Sequence, residues 1–338
     1  MERRAEPEAA GARAPEQGPP QTALEVLRAY LAAQSSAFLG QLPRLREGKP
    51  EASHRIRVAC RRSRSMLRTY RSLLDPDWCD ELAEQIAEFT DVIAPERDVE
   101  VVRERLLKAL DALGEESGTG SAGGPASMAV GGAGVLRART LLDRMLQREY
   151  AAAHEATLAA LAGPKFHALA DRLALAPQTL PAADRAGASA QEVLFPLVAQ
   201  SFALVERRVA ALPDPRRQNP RAALADDATD ELWHRLRIAA KRTRYAAEVC
   251  VPVAGPPASE FAGRMTLITE DLGIQQDAAV ASAVLLRAAR TPRIAAPTGF
   301  VLGRLLGDSR AAILRARLAF PSLWMDAADP AHRTWLGR

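Results

Sequence analysis

A basic peptide that occurs twice constrains the fold of this chain more than any other feature of its sequence. The first copy, HRIRVACRRSRS, begins at His54, and the second, HRLRIAAKRTRY, begins at His234, 180 residues later. From the histidine through the next ten residues, the copies carry identical or similar residues at every position except one, where Cys60 corresponds to Ala240. A repeat of this quality indicates that the chain consists of two related halves.

A weaker match downstream extends the repeat. IAPERD ends at Asp98 and LGIQQD ends at Asp277, 179 residues later. Because the two offsets agree within one residue, both halves carry the same two segments in the same order. This arrangement predicts two related helical bundles.

The composition and the periodicity predict an all-α protein. Aromatic residues make up only 5% of the chain while Ala, Leu and Arg dominate, which favours helix over sheet. Apolar residues recur at spacings of three and four, and no stretch alternates as a half-buried strand would. The predicted helices run over about 22–42, 52–74, 78–110, 135–161, 164–175, 190–211, 227–251, 257–290 and 297–320.

Breaks in this pattern predict the domain boundaries. Residues 1–21 are rich in Pro, Ala and Glu without periodicity and are predicted to be a disordered tail. The helical domain is expected over 22–322, with a first half at 22–175, a second half at 188–322 and a C-terminal tail at 323–338. The Gly-rich segment 114–134 predicts a flexible loop. Pro95 predicts a kink or a break in its helix.

The repeated peptide forms a basic stripe when it is placed on a helix. His54, Arg57, Arg61, Arg64 and Arg68 follow one another at spacings of 3, 4, 3 and 4 residues, so they share a face roughly 80° wide and about 21 Å long. The opposite face is apolar and is predicted to enter the core; it consists of Ile56, Ala59, Cys60, Met66, Leu67, Tyr70 and Leu74.

The second copy repeats the stripe with His234, Arg237, Lys241 and Arg244, but Glu248 stands where the first copy has Arg68. Four further basic residues project away from the stripe, at the apolar margin: Arg55, Arg62, Arg235 and Arg242. Some of these four are expected to pair with carboxylates such as Asp98 and Asp277, which are predicted to support the site rather than to catalyse.

The stripes contain no acidic residue that would neutralise them. Residues 53–74 carry seven Arg and residues 232–247 carry five basic residues, and neither range contains Asp or Glu. Like charges at these spacings repel one another. A solvated helix face would explain one such run, but the same stripe in both halves favours a bound polyanion. The planar fork of donors on Arg suits phosphate oxygens, and the length of the stripe suits an extended chain of phosphates.

The net charge, the cysteines, the apolar runs and the histidines indicate the cellular environment and the cofactors to expect. The net charge is +4 and the pI about 9.2, so a strong field has to arise from local clustering. Cys60, Cys79 and Cys250 are widely spaced, which predicts free thiols in a reducing compartment, and we expect the cytoplasm. No run of 18 or more apolar residues is present, so no membrane span is expected. Two histidines without a suitable carboxylate set predict no metal site and no cofactor.

At these residues the chain resembles the CHAD family, the conserved histidine α-helical domains. The resemblance rests on the two His-and-Arg helices, on APERDVEVV and LGIQQDAAVA, and on GFVLGRLLGDSRAAILRARLAF. It covers about residues 22–322. The resemblance implies two pseudo-symmetric four-helix bundles around a basic central pore that binds inorganic polyphosphate, and association with polyphosphate granules. The implied binding residues are His54, Arg57, Arg61, Arg64, Arg68, His234, Arg237, Lys241 and Arg244.

Three other functions remain open at this point. An enzyme acting on polyphosphate or on a triphosphate would need metal-holding carboxylates or a phosphate-cradling loop. The sequence contains neither GxxxxGK[ST] nor ExExK. We therefore expect no catalysis, and a weak hydrolase is the alternative. A general nucleic-acid or polyanion binder could use backbone contacts alone, although stacking aromatics are scarce, so weak competition by nucleic acid is expected. A purely structural scaffold would leave the acid-free stripes unexplained.

Overall fold

The part of the chain that the structure describes contains ten α-helices. The computed structural model describes residues 22–47, 49–119, 125–213 and 227–337, and within these ranges no β-strand forms. The prediction of an all-α protein is therefore confirmed. The helices are α1 Ala23–Leu39, α2 Leu42–Arg46, α3 Pro50–Thr69, α4 Pro76–Thr119, α5 Pro125–Ala162, α6 Pro164–Thr179, α7 Ala190–Ala210, α8 Asp227–Ala254, α9 Pro256–Ala289 and α10 Ala296–Ala327. Short 3-10 turns occur at Arg71–Leu73, Asp184–Gly187 and Pro330–Leu336.

Local signals explain where several helices begin. Thr22 and Glu25 form a capping box at the start of α1, with the Thr22 hydroxyl accepting from the Glu25 amide at 3.3 Å. Proline occupies the first turn of α3, α6, α9 and α10, where its missing N–H costs no hydrogen bond. Within the described residues, none of these helices combines the length and the apolar character needed to cross a membrane.

The helix α4 runs further than the sequence predicts. It continues through Pro95 to Thr119, so the predicted break at Pro95 is wrong. A proline inside a helix costs about 3 kcal/mol, but Ile93 before it and Val102 and Leu106 after it are all buried. Burial of this apolar face offsets the lost hydrogen bond.

The predicted flexible loop over 114–134 is also corrected. Residues up to Thr119 belong to α4, and α5 already begins at Pro125. The glycines lower the helix propensity of the segment, but propensity alone does not decide its structure. Residues 120–124 and the predicted tail at 1–21 lie outside the described residues.

The C-terminal segment is part of the domain rather than a tail. The helix α10 continues to Ala327, and the turn Pro330–Leu336 follows it. The Trp335 ring packs edge-on against the Phe195 ring with centroids 4.9 Å apart, and Leu336 is 6% exposed. The prediction of a tail at 323–338 is therefore wrong. Aromatic residues close to a chain end pack only when a partner surface is present, and the sequence does not show that Phe195 provides this surface.

Two hydrophobic cores hold the helices together. The main core contains buried residues of α1, α3, α6, α7 and α8, together with the first parts of α4 and α9. The distal core joins the far parts of α4 and α9 to α5 and α10, through residues such as Leu106, Leu142, Leu285 and Leu302. Each core therefore combines residues from both halves of the sequence. The pseudo-symmetric two-bundle arrangement stays a prediction.

The two helices of the repeat contact each other at the main core. The whole predicted apolar face of α3 is buried, from Ile56 to Leu74. At its end, the Tyr70 hydroxyl donates to the Ala246 carbonyl of α8 at 2.8 Å, and Ser65 Oγ donates to the Arg242 carbonyl at 3.4 Å. The helix α7 joins α8 through a buried pair of hydroxyls, Ser201 and Thr243, 2.8 Å apart. These contacts fix α3, α7 and α8 around the site described next.

Candidate functional site

A basic cleft opens between α3, α7 and α8. Its volume is about 490 Å³, and the described residues that line it include eight Arg and Lys side chains and no acidic residue. The lining residues are Arg61, Arg64, Ser65 and Arg68 of α3, Leu204 and Arg208 of α7, and His234, Arg235, Arg237, Ile238, Ala239, Lys241, Arg242 and Tyr245 of α8. Three helices thus bring their cations to one surface, which we call the basic cleft.

The cleft contains most of the residues of the two sequence stripes. Six of the predicted binding residues line it: Arg61, Arg64, Arg68, His234, Arg237 and Lys241. The other three, His54, Arg57 and Arg244, do not line it. The cleft therefore includes the C-terminal part of the first stripe and the N-terminal part of the second.

Arg57 is held by the neighbouring helix. Its Nη1 lies 2.9 Å from Oδ1 of Asp98 and donates to the Ala94 carbonyl at 3.1 Å. Asp98 thus pairs with a stripe residue. Two of the marginal arginines do pair with carboxylates, as expected, but with Glu248 for Arg62 and Glu231 for Arg235 rather than with Asp98. His54 is exposed one turn earlier on α3. Its pKa is lowered by partial burial and by the positive charges of Arg97 and Arg61.

Arg244 is held by a carboxylate at the other end of the stripe. Its Nε donates to Glu248 at 2.9 Å, and Arg62 Nε of α3 lies 3.1 Å from the other oxygen of the same carboxylate. Both guanidinium groups also lie over the Tyr245 ring, at 5.9 Å for Arg62 and 5.4 Å for Arg244. Glu248 therefore pairs with two guanidinium groups, and the three side chains form a cluster beside the cleft.

The marginal arginines divide into two groups. Arg235 and Arg242 line the cleft, although the helical projection turned them away from the stripe. The projection assumed a narrow stripe, whereas the cleft covers a wide arc of α8 centred on Ile238, which is 54% exposed. Arg242 also donates to the Arg68 carbonyl at 2.9 Å and so ties α8 to α3. The other two, Arg55 and Arg62, lie outside the lining.

The cations of the cleft are only partly satisfied by the protein. The Nε atoms of Arg61, Arg64 and Arg237 are buried and have no hydrogen-bond acceptor among the described residues. Burial lowers the pKa of Arg237, and the carboxylate of Asp277 acts in the opposite direction. Unsatisfied buried donors are costly, so the cleft is suited to a ligand that brings many acceptor oxygens.

Lys241 is the cleft residue whose pKa is shifted most. Burial, together with the charges of Arg237, Arg61 and Arg244, lowers the pKa of Lys241 to about 7. Asp277 raises it but is the weakest of these influences. The second predicted supporting carboxylate thus acts on Arg237 and Lys241 rather than on a marginal arginine.

Comparison with known proteins places this architecture in a family. The family model described as CHAD domain matches residues 29–286, which is well over half of the chain. The chain belongs to the CHAD family. A solved structure, PptA from Streptomyces chartreusis, is 33% identical in sequence and superposes with a TM-score of 0.73, covering 90% of this chain and 100% of that one. No curated protein matches the chain.

In this CHAD domain, one wall of the cleft was not predicted from the sequence. Leu204 and Arg208 of α7 line it, but α7 does not belong to the repeated segments. The only available signal was the pair Arg207 and Arg208 in the last turn of the helix, which does not reveal the neighbouring helix. Among the described residues, no group of three or more His, Cys, Asp or Glu side chains is arranged to hold a metal ion.

Proposed function

We propose that this CHAD domain binds inorganic polyphosphate in the basic cleft and does not catalyse its breakdown. The observation that carries the proposal is the convergence of eight cationic side chains from three helices onto one cleft, with no acidic side chain among the described lining residues. CHAD domains are associated with polyphosphate. A phosphate chain supplies the dense acceptor oxygens that the buried Nε atoms of Arg61, Arg64 and Arg237 lack within the described protein.

The length of the cationic surface favours a chain over a single phosphate group. Arg61 and Arg68 are seven residues apart on α3, which corresponds to about 10 Å along the helix. Arg237 and Lys241 lie on the facing part of α8, and Arg208 adds a cation from α7. One extended polyanion can contact all of these groups, whereas orthophosphate can contact only a few. In its more detailed form, the proposal is that the cleft belongs to a pore between two pseudo-symmetric helical bundles.

The absence of carboxylates from the lining argues for binding without catalysis. Phosphoryl transfer depends on groups that orient the nucleophile or hold metal ions. The lining residues that the structure describes are cationic, hydroxyl-bearing or apolar, with the imidazole of His234, and include no carboxylate. The proposed role is association with polyphosphate granules in the cytoplasm. A weak hydrolase remains the enzymatic alternative.

Calorimetric titration of long-chain polyphosphate into the wild-type protein tests the proposal, with two matched variants. Arg61→Gln removes a charge from the cleft, whereas Arg55→Gln removes the same charge from an exposed position on the same helix, outside the lining. A charge-assisted hydrogen bond contributes about 1.5–3 kcal/mol, so Arg61→Gln is expected to weaken binding at least tenfold. Arg55→Gln is expected to change it less than twofold. Equal losses in both variants would place the binding surface elsewhere.

Competition separates the proposal from a general polyanion binder. Single-stranded DNA and ATP are added as competitors at two salt concentrations, because contacts to phosphates alone weaken steeply with salt. Polyphosphate binding that resists both competitors supports the proposal. Equal or tighter binding of DNA makes the domain a nucleic-acid binder, and no binding of any polyanion points to a protein partner.

A further inference from the structure

One residue of the basic cleft differs from the others in its ability to release a proton. Lys241 lies in the wall of the cleft, half-buried on α8. No hydrogen bond or ion pair joins its Nζ to another described residue. The other strongly basic groups in the lining are arginines, which remain protonated at any physiological pH.

The charges around Lys241 come from three helices. Arg237 and Arg244 flank it on α8, Arg61 faces it from α3, and the Asp277 carboxylate on α9 acts on it in the opposite direction. Three guanidinium groups against one carboxylate disfavour a fourth positive charge at this point. Together with burial, they lower the pKa of Lys241 to about 7, so a large share of the protein has a neutral Lys241 at neutral pH.

A polyanion in the cleft reverses this balance. Phosphate oxygens close to the amine favour its charged form by attraction and by accepting its hydrogen bonds. We propose that the basic cleft takes up a proton when it captures a phosphate chain, that Lys241 holds this proton, and that occupancy of the cleft therefore responds to pH around neutrality. This inference rests on the proposed function, since it concerns the regulation of the same site.

The direction of the pH effect follows from the protonation state of Lys241 in the free protein. The ligand prefers charged Lys241, so binding is strongest at pH values where the lysine is already charged before the ligand binds. As the pH rises through the pKa of the free protein, each binding event has to take a proton from solution, and the affinity falls. We expect a loss of roughly tenfold between pH 7 and pH 9.

His234 also lines the cleft and carries an imidazole. Its Nδ1 lies 3.1 Å from Oε1 of Gln276 on α9, and because an amide oxygen only accepts, this nitrogen carries a hydrogen. Protonation of the ring at Nε2 would also couple binding to pH. A His234→Gln variant therefore separates the two sources, because it removes the imidazole and leaves Lys241 in place.

The test measures proton uptake directly. Long-chain polyphosphate is titrated into the full-length protein at pH 7.5 in Hepes and in Tris, two buffers that differ in ionisation enthalpy. The difference in observed enthalpy gives the number of protons taken up, expected to be between about 0.4 and 0.9 for the wild type. Lys241→Arg keeps the positive charge and cannot release it, so it should still bind polyphosphate but take up fewer than about 0.1 protons.

The outcomes distinguish this inference from the function on which it rests. Equal enthalpies in both buffers for the wild type, or unchanged uptake in Lys241→Arg, would overturn the inference while polyphosphate binding stands. Loss of the uptake in His234→Gln with retention in Lys241→Arg would also overturn it. No binding by the wild type at either pH overturns the proposed function itself. If Lys241→Arg does not fold, Lys241→Met replaces it, and is expected to bind more weakly at pH 7 without uptake.

Discussion

Arg62 Nε of α3 and Glu248 Oε2 of α8 lie 3.1 Å apart, and this ion pair joins the two repeated helices beside the basic cleft. The same carboxylate accepts from Arg244 of its own helix at 2.9 Å. Glu248 therefore neutralises two guanidinium groups that would otherwise add to the charge of the cleft. At the corresponding position of the first copy stands Arg68, which lines the cleft.

Glu248→Gln is expected to strengthen polyphosphate binding and to destabilise the fold. The change frees Arg62 and Arg244 from their shared carboxylate, which should increase affinity about threefold or more. It also leaves two partly buried cations less well paired, at a cost of about 1–2 kcal/mol in the free energy of unfolding. Calorimetry and urea unfolding measure the two effects.

Glu260→Gln is the control for the change in net charge, because Glu260 is exposed on α9 and its Oε2 lies 3.9 Å from Arg264, outside the cleft. This variant should leave both quantities close to the wild-type values. If Glu248→Gln binds no better than Glu260→Gln, the two arginines do not reach the ligand.

Gly273→Ala tests how tightly α9 packs against the cleft. A Cβ at Gly273 would lie 3.2 Å from Nη2 of Arg237, closer than an ordinary contact, so the guanidinium would have to move. Replacing Gly by Ala inside a helix usually stabilises it by about 0.5–1 kcal/mol. We expect unchanged or slightly higher thermal stability together with a twofold to fivefold loss of polyphosphate affinity.

The same helix provides the control for this substitution. A Cβ at Gly263 would meet nothing within 4 Å, so Gly263→Ala should raise the stability without any change in affinity. A similar affinity in the two variants would show that the position of Arg237 is not critical for binding.

Arg57→Gln is expected to affect stability more than binding. Arg57 joins α3 to α4 through Asp98 and the Ala94 carbonyl, and its loss should lower the free energy of unfolding by about 1 kcal/mol. Because Arg57 does not line the cleft, affinity should fall less than threefold, against tenfold or more for Arg237→Gln. An equally large loss of affinity would mean that Arg57 leaves Asp98 for the ligand.

The sequence was sufficient to predict the helices and the middle of the site. Periodicity located α1, α3, α7, α8 and α9 to within about five residues, because each buries an apolar stripe, but it ended α10 too early. The repeat identified Arg61 and Arg237 before any fold was known, since charge without acid in both copies needs an external partner.

The parts that could not be predicted depend on contacts between helices distant in the sequence. Arg208 belongs to the cleft because α7 packs on α8 through Ser201 and Thr243, and a single-helix projection does not contain that information. Arg57 is drawn from the stripe by Asp98 of α4 for the same reason. Local sequence rules also overestimated how strongly proline interrupts a helix. Pro95 lies within a continuous helix, because apolar residues buried on both sides of it compensate for the free-energy cost of the proline.

Close packing of α5 against α10 makes Gly134 a sensitive position. A Cβ at Gly134 would lie 2.7 Å from the Pro297 carbonyl oxygen, and because backbone cannot rotate away, the two helices would have to separate. Gly134→Ala should destabilise the distal core by about 1–3 kcal/mol, as measured by chemical unfolding. Gly132→Ala on the same helix, where a Cβ would meet nothing within 4 Å, should be neutral or stabilising, and equal effects would contradict the close approach.

Lys241→Met should reveal the cost of the buried charge in the ligand-free protein. The pKa of Lys241 in the folded state, about 7, lies below that of an unfolded lysine, so the folded protein binds fewer protons between pH 7 and about pH 10.4. The wild type therefore gains stability as the pH rises through this window, by at most about 1.4 kcal/mol per pH unit. Met cannot titrate, so the stability advantage of Lys241→Met over the wild type should be largest at pH 6 and smaller at pH 9. Urea unfolding at both pH values measures this difference, and a constant difference would mean that Lys241 remains charged in the folded cleft throughout.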